Sequence, residues 1–143
     1  MFVQVTVSPT LTFTDSGLTT GASHAYRVGA YDGVGNESSA AGPVTGVASD
    51  TQPPSVPQSL SASNITTTSV TLNWSPSADQ GGSGLAGYRV FRDGTLRATV
   101  TGATFTDTGL SAGAQYRYTV AAYDGAGNQS ALSSQVPVRT KKR

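Results

Sequence analysis

The side chains in this 143-residue sequence suited to acid–base or metal chemistry are eight carboxylates and one imidazole. The carboxylates are Asp15, Asp32, Glu37, Asp50, Asp79, Asp93, Asp107 and Asp124, and the imidazole is His24. Hydrolysis by a carboxylate pair needs two acids facing each other across a cleft. Here Asp15 recurs as Asp107 and Asp32 as Asp124 at one fixed spacing, which marks them as parts of a fold plan rather than of a catalytic pair. Cysteine is absent, so thiol catalysis, thiolate metal sites and disulfides are all excluded. Serines are abundant, but none lies in a Gly-x-Ser-x-Gly elbow, and His24 has no second nitrogen or sulfur ligand to share a metal. The expectation is a non-enzyme with no catalytic residues, no cofactor and no metal.

Two loop motifs could still bind something. Tyr-Asp-Gly-x-Gly-Asn occurs at Tyr31–Asn36 and again at Tyr123–Asn128. Calcium takes about six to eight oxygens, and two side chains with some carbonyls fall short. Asp and Asn that satisfy local N–H groups, with Gly tolerating positive φ, make the same string a tight hairpin turn. The second loop is the long glycine-rich stretch Ser75–Leu85. The candidate loop contacts are Asp79, Gln80, Asp124 and Asn128, although neither loop offers an aromatic platform for stacking on sugars.

The elements that position these loops are legible through an internal repeat. Residues 12–38 overlay residues 104–130 without a gap at an offset of 92, with 17 of 27 positions identical. In the second copy, two-residue alternation marks short strands. Leu60 and Ala62 follow Pro57; Val70, Leu72 and Trp74 share one face, as do Tyr88 and Val90; Val100 and Phe105 belong to the next pair. Tyr116, Tyr118, Val120 and Ala122 face one way against Arg117 and Thr119, and Leu132, Val136 and Val138 are expected on the final strand. Seven strands and no helix result.

The set formed by Asp50-Thr51-x-Pro53-Pro54-x-x-Pro57, Trp74, Gly87-Tyr88-x-Val90 and Leu110-x-x-Gly113-x-x-Tyr116-x-Tyr118-x-Val120 resembles the fibronectin type III family, in the variety common in secreted bacterial proteins. The resemblance implies an all-β, immunoglobulin-like seven-stranded antiparallel sandwich. It places Trp74 between the sheets and makes Tyr116 the tyrosine-corner residue, whose hydroxyl anchors the turn before its strand. At the matching position of the first copy stands His24, expected to be a structural substitute whose ring nitrogen donates in place of the hydroxyl. Tyr26 repeats Tyr118. The family's integrin-binding Arg-Gly-Asp is absent, since Arg92-Asp93-Gly94 runs in another order.

Residues 50–140 are thus expected to form a complete domain, 141–143 a basic tail, and 1–49 a partial repeat lacking the strands called A, B and C in this family. In that partial copy the alternating Val3, Val5 and Val7, then 12–15, 26–32 and 40–47, are the expected strands. Half a core does not bury enough apolar surface to offset chain entropy. Its complement is expected from upstream polypeptide, from strands of another copy of the chain, or from symmetric pairing of two half-domains. Only 12% of residues are charged, the net charge is +1, and the basic residues are dispersed, so no nucleic-acid footprint exists. No apolar run approaches the ~20 residues of a membrane span.

By resemblance, such modules are extracellular or cell-surface spacers in tandem arrays. They belong to secreted carbohydrate-active enzymes or adhesion proteins, and their partners are neighbouring domains. The alternatives are a structural subunit of an oligomer or filament and, more weakly, a module that itself binds polysaccharide.

Overall fold

The computed structural model describes residues 8–143, and the chain divides into two units between Ala48 and Ser49. The Val3, Val5 and Val7 alternation lies outside the described residues. In the first unit β1 (Ser23–Tyr26) pairs antiparallel with β2 (Val44–Val47). In the second, β3 (Gln58–Ser63), β4 (Ser69–Ser75) and β7 (Thr104–Thr108) form one antiparallel sheet in the order β3-β4-β7. The other sheet holds β5 (Leu85–Arg92), β6 (Thr95–Val100), β8 (Gln115–Asp124) and β9 (Val136–Arg139) in the order β6-β5-β8-β9. The second unit is therefore an all-β antiparallel sandwich of seven strands.

The core follows from the period-two pattern. Val70, Leu72 and Trp74 of β4 turn inward against Tyr88 and Val90 of β5 and Tyr118, Val120 and Ala122 of β8, all buried. Trp74 meets Tyr88 edge to face, with ring centroids 5.3 Å apart and planes at 70°, the offset geometry aromatic quadrupoles prefer. The β5–β6 hairpin turns on Asp93 and Gly94, with φ of 51° and 80°, the left-handed pair a two-residue turn requires. Gly87 is obligatory for a different reason: a Cβ there would lie 2.5 Å from the Val100 carbonyl oxygen.

One buried carboxylate joins the two sheets. Asp107 of β7 is fully buried and accepts from the Tyr118 hydroxyl at 2.9 Å, from Arg92 at 2.9 Å and from Arg97 at 2.8 Å. These donors sit on β8, β5 and β6, all in the opposite sheet. Burial, followed by the hydrogen bond to Asp107, pushes the Tyr118 phenol well above its ordinary range.

Two expectations are corrected. Leu132 is half-exposed and lies ahead of β9 rather than on it. In this stretch the N–H groups of Val120 and Ala122 go to the hydroxyls of Ser133 and Ser130, while their carbonyls still accept the backbone N–H groups of the same serines, so side chains take over half of the ladder. In the first unit, the expected strands at 12–15, 26–32 and 40–47 shrink to β1 and β2, with one bridge between Tyr31 and Glu37. The stretches 12–15 and 27–32 match residues of β7 and β8 that pair with β4 and β5 in the second unit, whereas 40–43 match 132–135, which are irregular there too.

What survives in the first unit keeps its register. Gln115↔Arg139 through Tyr118↔Val136 become, on subtracting 92, Ser23↔Val47 through Tyr26↔Val44. The bridge Tyr123↔Gln129 likewise becomes Tyr31↔Glu37.

Asp107→Ala is expected to lower the unfolding free energy of the second unit by about 3–5 kcal/mol, because it strands buried donors, whereas Arg97→Ala, at the exposed end of the network, costs about 1 kcal/mol or less. Chemical denaturation followed by Trp74 fluorescence reads both. The raised Tyr118 pKa has a defined sign. The unfolded chain releases this proton near pH ~10 while the folded chain holds it, so stability falls as pH rises past that point, and Tyr118→Phe flattens the fall.

Candidate functional site

The densest collection of chemically competent groups among the described residues lies at one end of the second unit. Three loops converge there: the segment entering β3, the β4–β5 connection and the β8–β9 turn. The carboxylates of Asp50, Asp79 and Asp124, one from each loop, place their nearest oxygens within 4.8 Å of one another. Asp50 and Asp124 are buried and Asp79 half-buried.

Each of these six oxygens already accepts a hydrogen bond. Asp50 takes the Gln52 N–H at 2.8 Å on Oδ1, and the Ser83 N–H and hydroxyl on Oδ2. Asp79 takes the Gly81 N–H at 3.3 Å and the Gly84 N–H at 2.7 Å. Asp124 takes the N–H groups of Ala126 at 3.0 Å and Asn128 at 2.8 Å, with the Asn128 amide on its other oxygen. That amide also donates to the Asp50 carbonyl at 3.2 Å, closing the ring of loops. Hydrogen bonds from Ser83 and then Gln52 hold the Asp50 carboxyl below its ordinary range, outweighing desolvation. Gly81 passes so close that a Cβ would fall 1.8 Å from Asp50 Oδ1, so no other residue fits.

The arrangement is a clasp that anchors the incoming chain. As a cation site it supplies three carboxylate oxygens of the about six to eight calcium takes. Sequence reasoning placed Asp79, Asp124 and Asn128 here but left out Asp50. Gln80 is exposed in the same loop. The signal that could have found Asp50 is its place immediately before Thr51-x-Pro53-Pro54, where a buried acid needs distant donors.

The structural residues fall as follows. Tyr88 accepts the Ser77 N–H at 2.8 Å, and Leu110 and Val120 are buried. Gly113 has φ of 70° and donates its N–H to the Lys141 carbonyl at 3.0 Å, and the Lys141 N–H donates to the Thr66 carbonyl at 2.9 Å. The Tyr116 hydroxyl accepts the Ser111 N–H at 2.9 Å. The His24 ring stands 6.4 Å from that of Tyr26, and its buried Nε2 has no partner among the described residues, unlike the phenol it was expected to replace. Tyr26 donates to Asp15 at 3.0 Å, as Tyr118 does to Asp107.

A family model described as Fibronectin type III domain matches residues 55–139. The chain belongs to the fibronectin type III family. Among its relatives, Exoglucanase B of Cellulomonas fimi is 48% identical over 96% of this chain, which spans 13% of that protein. Chitinase A1 of Niallia circulans is 43% identical over 90% of the chain, which spans 19% of it. Among solved structures, the chitinase ChiA74 from Bacillus thuringiensis matches over 70% of this chain and 15% of its own, at 28% identity and a TM-score of 0.60. The chicken CNTN1 FN1-FN3 domains match over 91% and 46% at 16% identity and a TM-score of 0.61, a likeness of fold alone. This fibronectin type III chain thus spans a small part of its curated relatives.

The lowered Asp50 pKa implies stability that is present above the unfolded carboxylate value near pH ~4 and lost as pH falls through the lower folded value. Thermal melts of the wild type and Asp50→Asn across that window are expected to converge at the acid end and separate at neutral pH, the variant melting lower. A constant gap at every pH would contradict this assignment.

Proposed function

We propose that the chain is a non-catalytic spacer from a tandem fibronectin type III array in a secreted, extracellular polysaccharide-degrading protein. The observation that carries this reading is coverage: nearly the whole chain aligns at 48% identity inside an exoglucanase of which it spans only 13%. A chitinase and a further glucanase match 90% and 96% of the chain at 43% and 44% identity. In each case the chain accounts for a minor part of a much longer polypeptide.

The form of the molecule supports the reading. A depression at the β5–β6 turn is lined by Arg92, Asp93, Thr95, Leu96 and Arg97, and its neighbour by Asp93, Gln115 and Arg117. Each carries one carboxylate, which does not make a hydrolytic pair. The joint between the units is short. Ala48 exchanges backbone hydrogen bonds with Gly21 and Ala22 in the first unit, and Asp50 is clasped in the second, so Ser49 alone separates them. Pro54 and Pro57 are buried in the second unit rather than free in a linker.

Incubated with insoluble cellulose or chitin, the purified chain is expected to release no soluble sugar and to remain in the supernatant after sedimentation. Sugar release would overturn the non-catalytic reading. Retention on the solid that free oligosaccharide reverses would replace the spacer role with carbohydrate binding.

A further inference from the structure

The basic residues, dispersed in the sequence, are gathered by the fold. Eight of the nine lie in the second unit, and Arg27 lies in the first. Arg89 stands over the Tyr123 ring, its guanidinium carbon 4.8 Å from the centroid, towards the β8–β9 turn. The other seven collect at the opposite end, where the β5–β6 turn, the start of β8 and the end of β9 meet. The Asp93 N–H donates to the Arg117 carbonyl and the Arg117 N–H to Asp93 Oδ1, both at 2.8 Å, while Arg139 Nε donates to the Gly113 carbonyl at 3.3 Å. The Lys142 side chain lies over Gly113, with its Cγ 3.3 Å from where a Cβ would stand.

Little of this charge is neutralised. Arg92 and Arg97 share Asp107, and among the described residues neither Arg117 nor Arg139 forms an ion pair. Among those residues Asp93 is the one exposed carboxylate side chain at this end. Two shallow depressions meet at it, one reaching Arg92 and Arg97 and the other Gln115 and Arg117. On the outer face of the sheet the register sets Gln115 opposite Arg139 and Arg117 opposite Pro137, which carries the basic track onto β9.

The first unit shows that the strands do not need these cations. The same register there places Ser23, Ala25, Thr45 and Val47 where Gln115, Arg117, Pro137 and Arg139 stand. None of the four is charged, yet β1 pairs with β2 as β8 pairs with β9. The basic track is therefore an addition to the fold plan.

We propose that this end of the second unit binds an acidic polysaccharide, a chain of uronate sugars, through Arg117 and Arg139, with Lys142, Arg92 and Arg97 beside them. A guanidinium fork donates to both oxygens of a carboxylate, and a uronate chain presents a carboxylate on each sugar. Other polyanions suit the surface less. A protein partner needs an apolar core to desolvate, and Leu96 is the one exposed large apolar side chain on the track among the described residues. A single-stranded nucleic acid needs aromatic faces for its bases, and the Tyr116 ring is capped by the Arg92 guanidinium at 5.4 Å. The proposal is independent of the spacer reading. Cellulose and chitin carry no carboxylate, so a chain that ignores both can still hold a polyuronate.

The test titrates the full chain with polygalacturonate at low salt, beside its full methyl ester, polyglutamate and single-stranded DNA. Binding is expected to be tightest for polygalacturonate, absent for the ester and weaker as salt rises. Amide shift changes are expected at residues 93–97, 115–117 and 139–142. Arg117→Ala with Arg139→Val installs the residues that the first unit carries, and is expected to weaken binding about tenfold or more. Lysines at both positions keep the charge without the fork, and are expected to give an intermediate loss. Arg89→Ala removes one charge from the other end and is expected to bind as the wild type.

Equal binding of acid and ester overturns the proposal, as does no binding at all. A loss from Arg89→Ala equal to that from Arg117→Ala overturns it too, because net charge alone then accounts for the affinity. Tighter binding of polyglutamate or DNA overturns the chosen occupant. Should the Ala and Val pair unfold, the wild-type shift map and the lysine pair still decide. Shifts confined to other residues, or a lysine pair that binds as the wild type, sink the assignment to Arg117 and Arg139.

Discussion

A carboxylate held dry between two sheets is the constraint on which the second unit turns. Asp107 belongs to the three-stranded sheet, and its donors Arg92, Arg97 and Tyr118 belong to the four-stranded one. Apolar contacts between sheets tolerate sliding, because burial is non-directional. A charge with no water beside it tolerates almost none, since losing a partner leaves it unsolvated. Asp107 therefore fixes how β7 lies over β5, β6 and β8, while Trp74, Tyr88 and Val120 supply the area that makes the stacking favourable. The first unit has the same acid at Asp15 and the same phenol at Tyr26, joined by the same hydrogen bond, and among the described residues its sheet is the β1–β2 pair.

The fold was legible wherever a single strand carried its own evidence. Val70, Leu72 and Trp74 announce an inward face by alternation alone, and Asp93-Gly94 announces a two-residue turn by its tolerance of positive φ. Misreadings arose where the deciding partner was distant. Leu132 looked like a strand residue because nothing local shows that Ser130 and Ser133 take over the N–H groups of β8. The strands expected at 12–15 and 26–32 had the right composition, yet among the described residues only Tyr26 of them lies in a strand, which shows β-propensity to be mainly a statement about context.

The candidate site divides in the same way. Asp79, Asp124 and Asn128 stand in loops whose glycines mark them, so they could be singled out. Asp50 could not, because its partners Ser83 and Asn128 lie 33 and 78 residues away. Its sequence neighbours Pro54 and Pro57 are packed into the domain.

That clasp changes where a domain of this kind begins. Counted by strands, the second unit starts at β3; counted by what holds the chain, it starts at Asp50. Tension applied at the N-terminal side of this unit would meet three loops tied through one aspartate before it reached a strand ladder. Because an ionised carboxylate accepts N–H and O–H donors more strongly than the neutral acid does, the tie at Asp50 would weaken in acid.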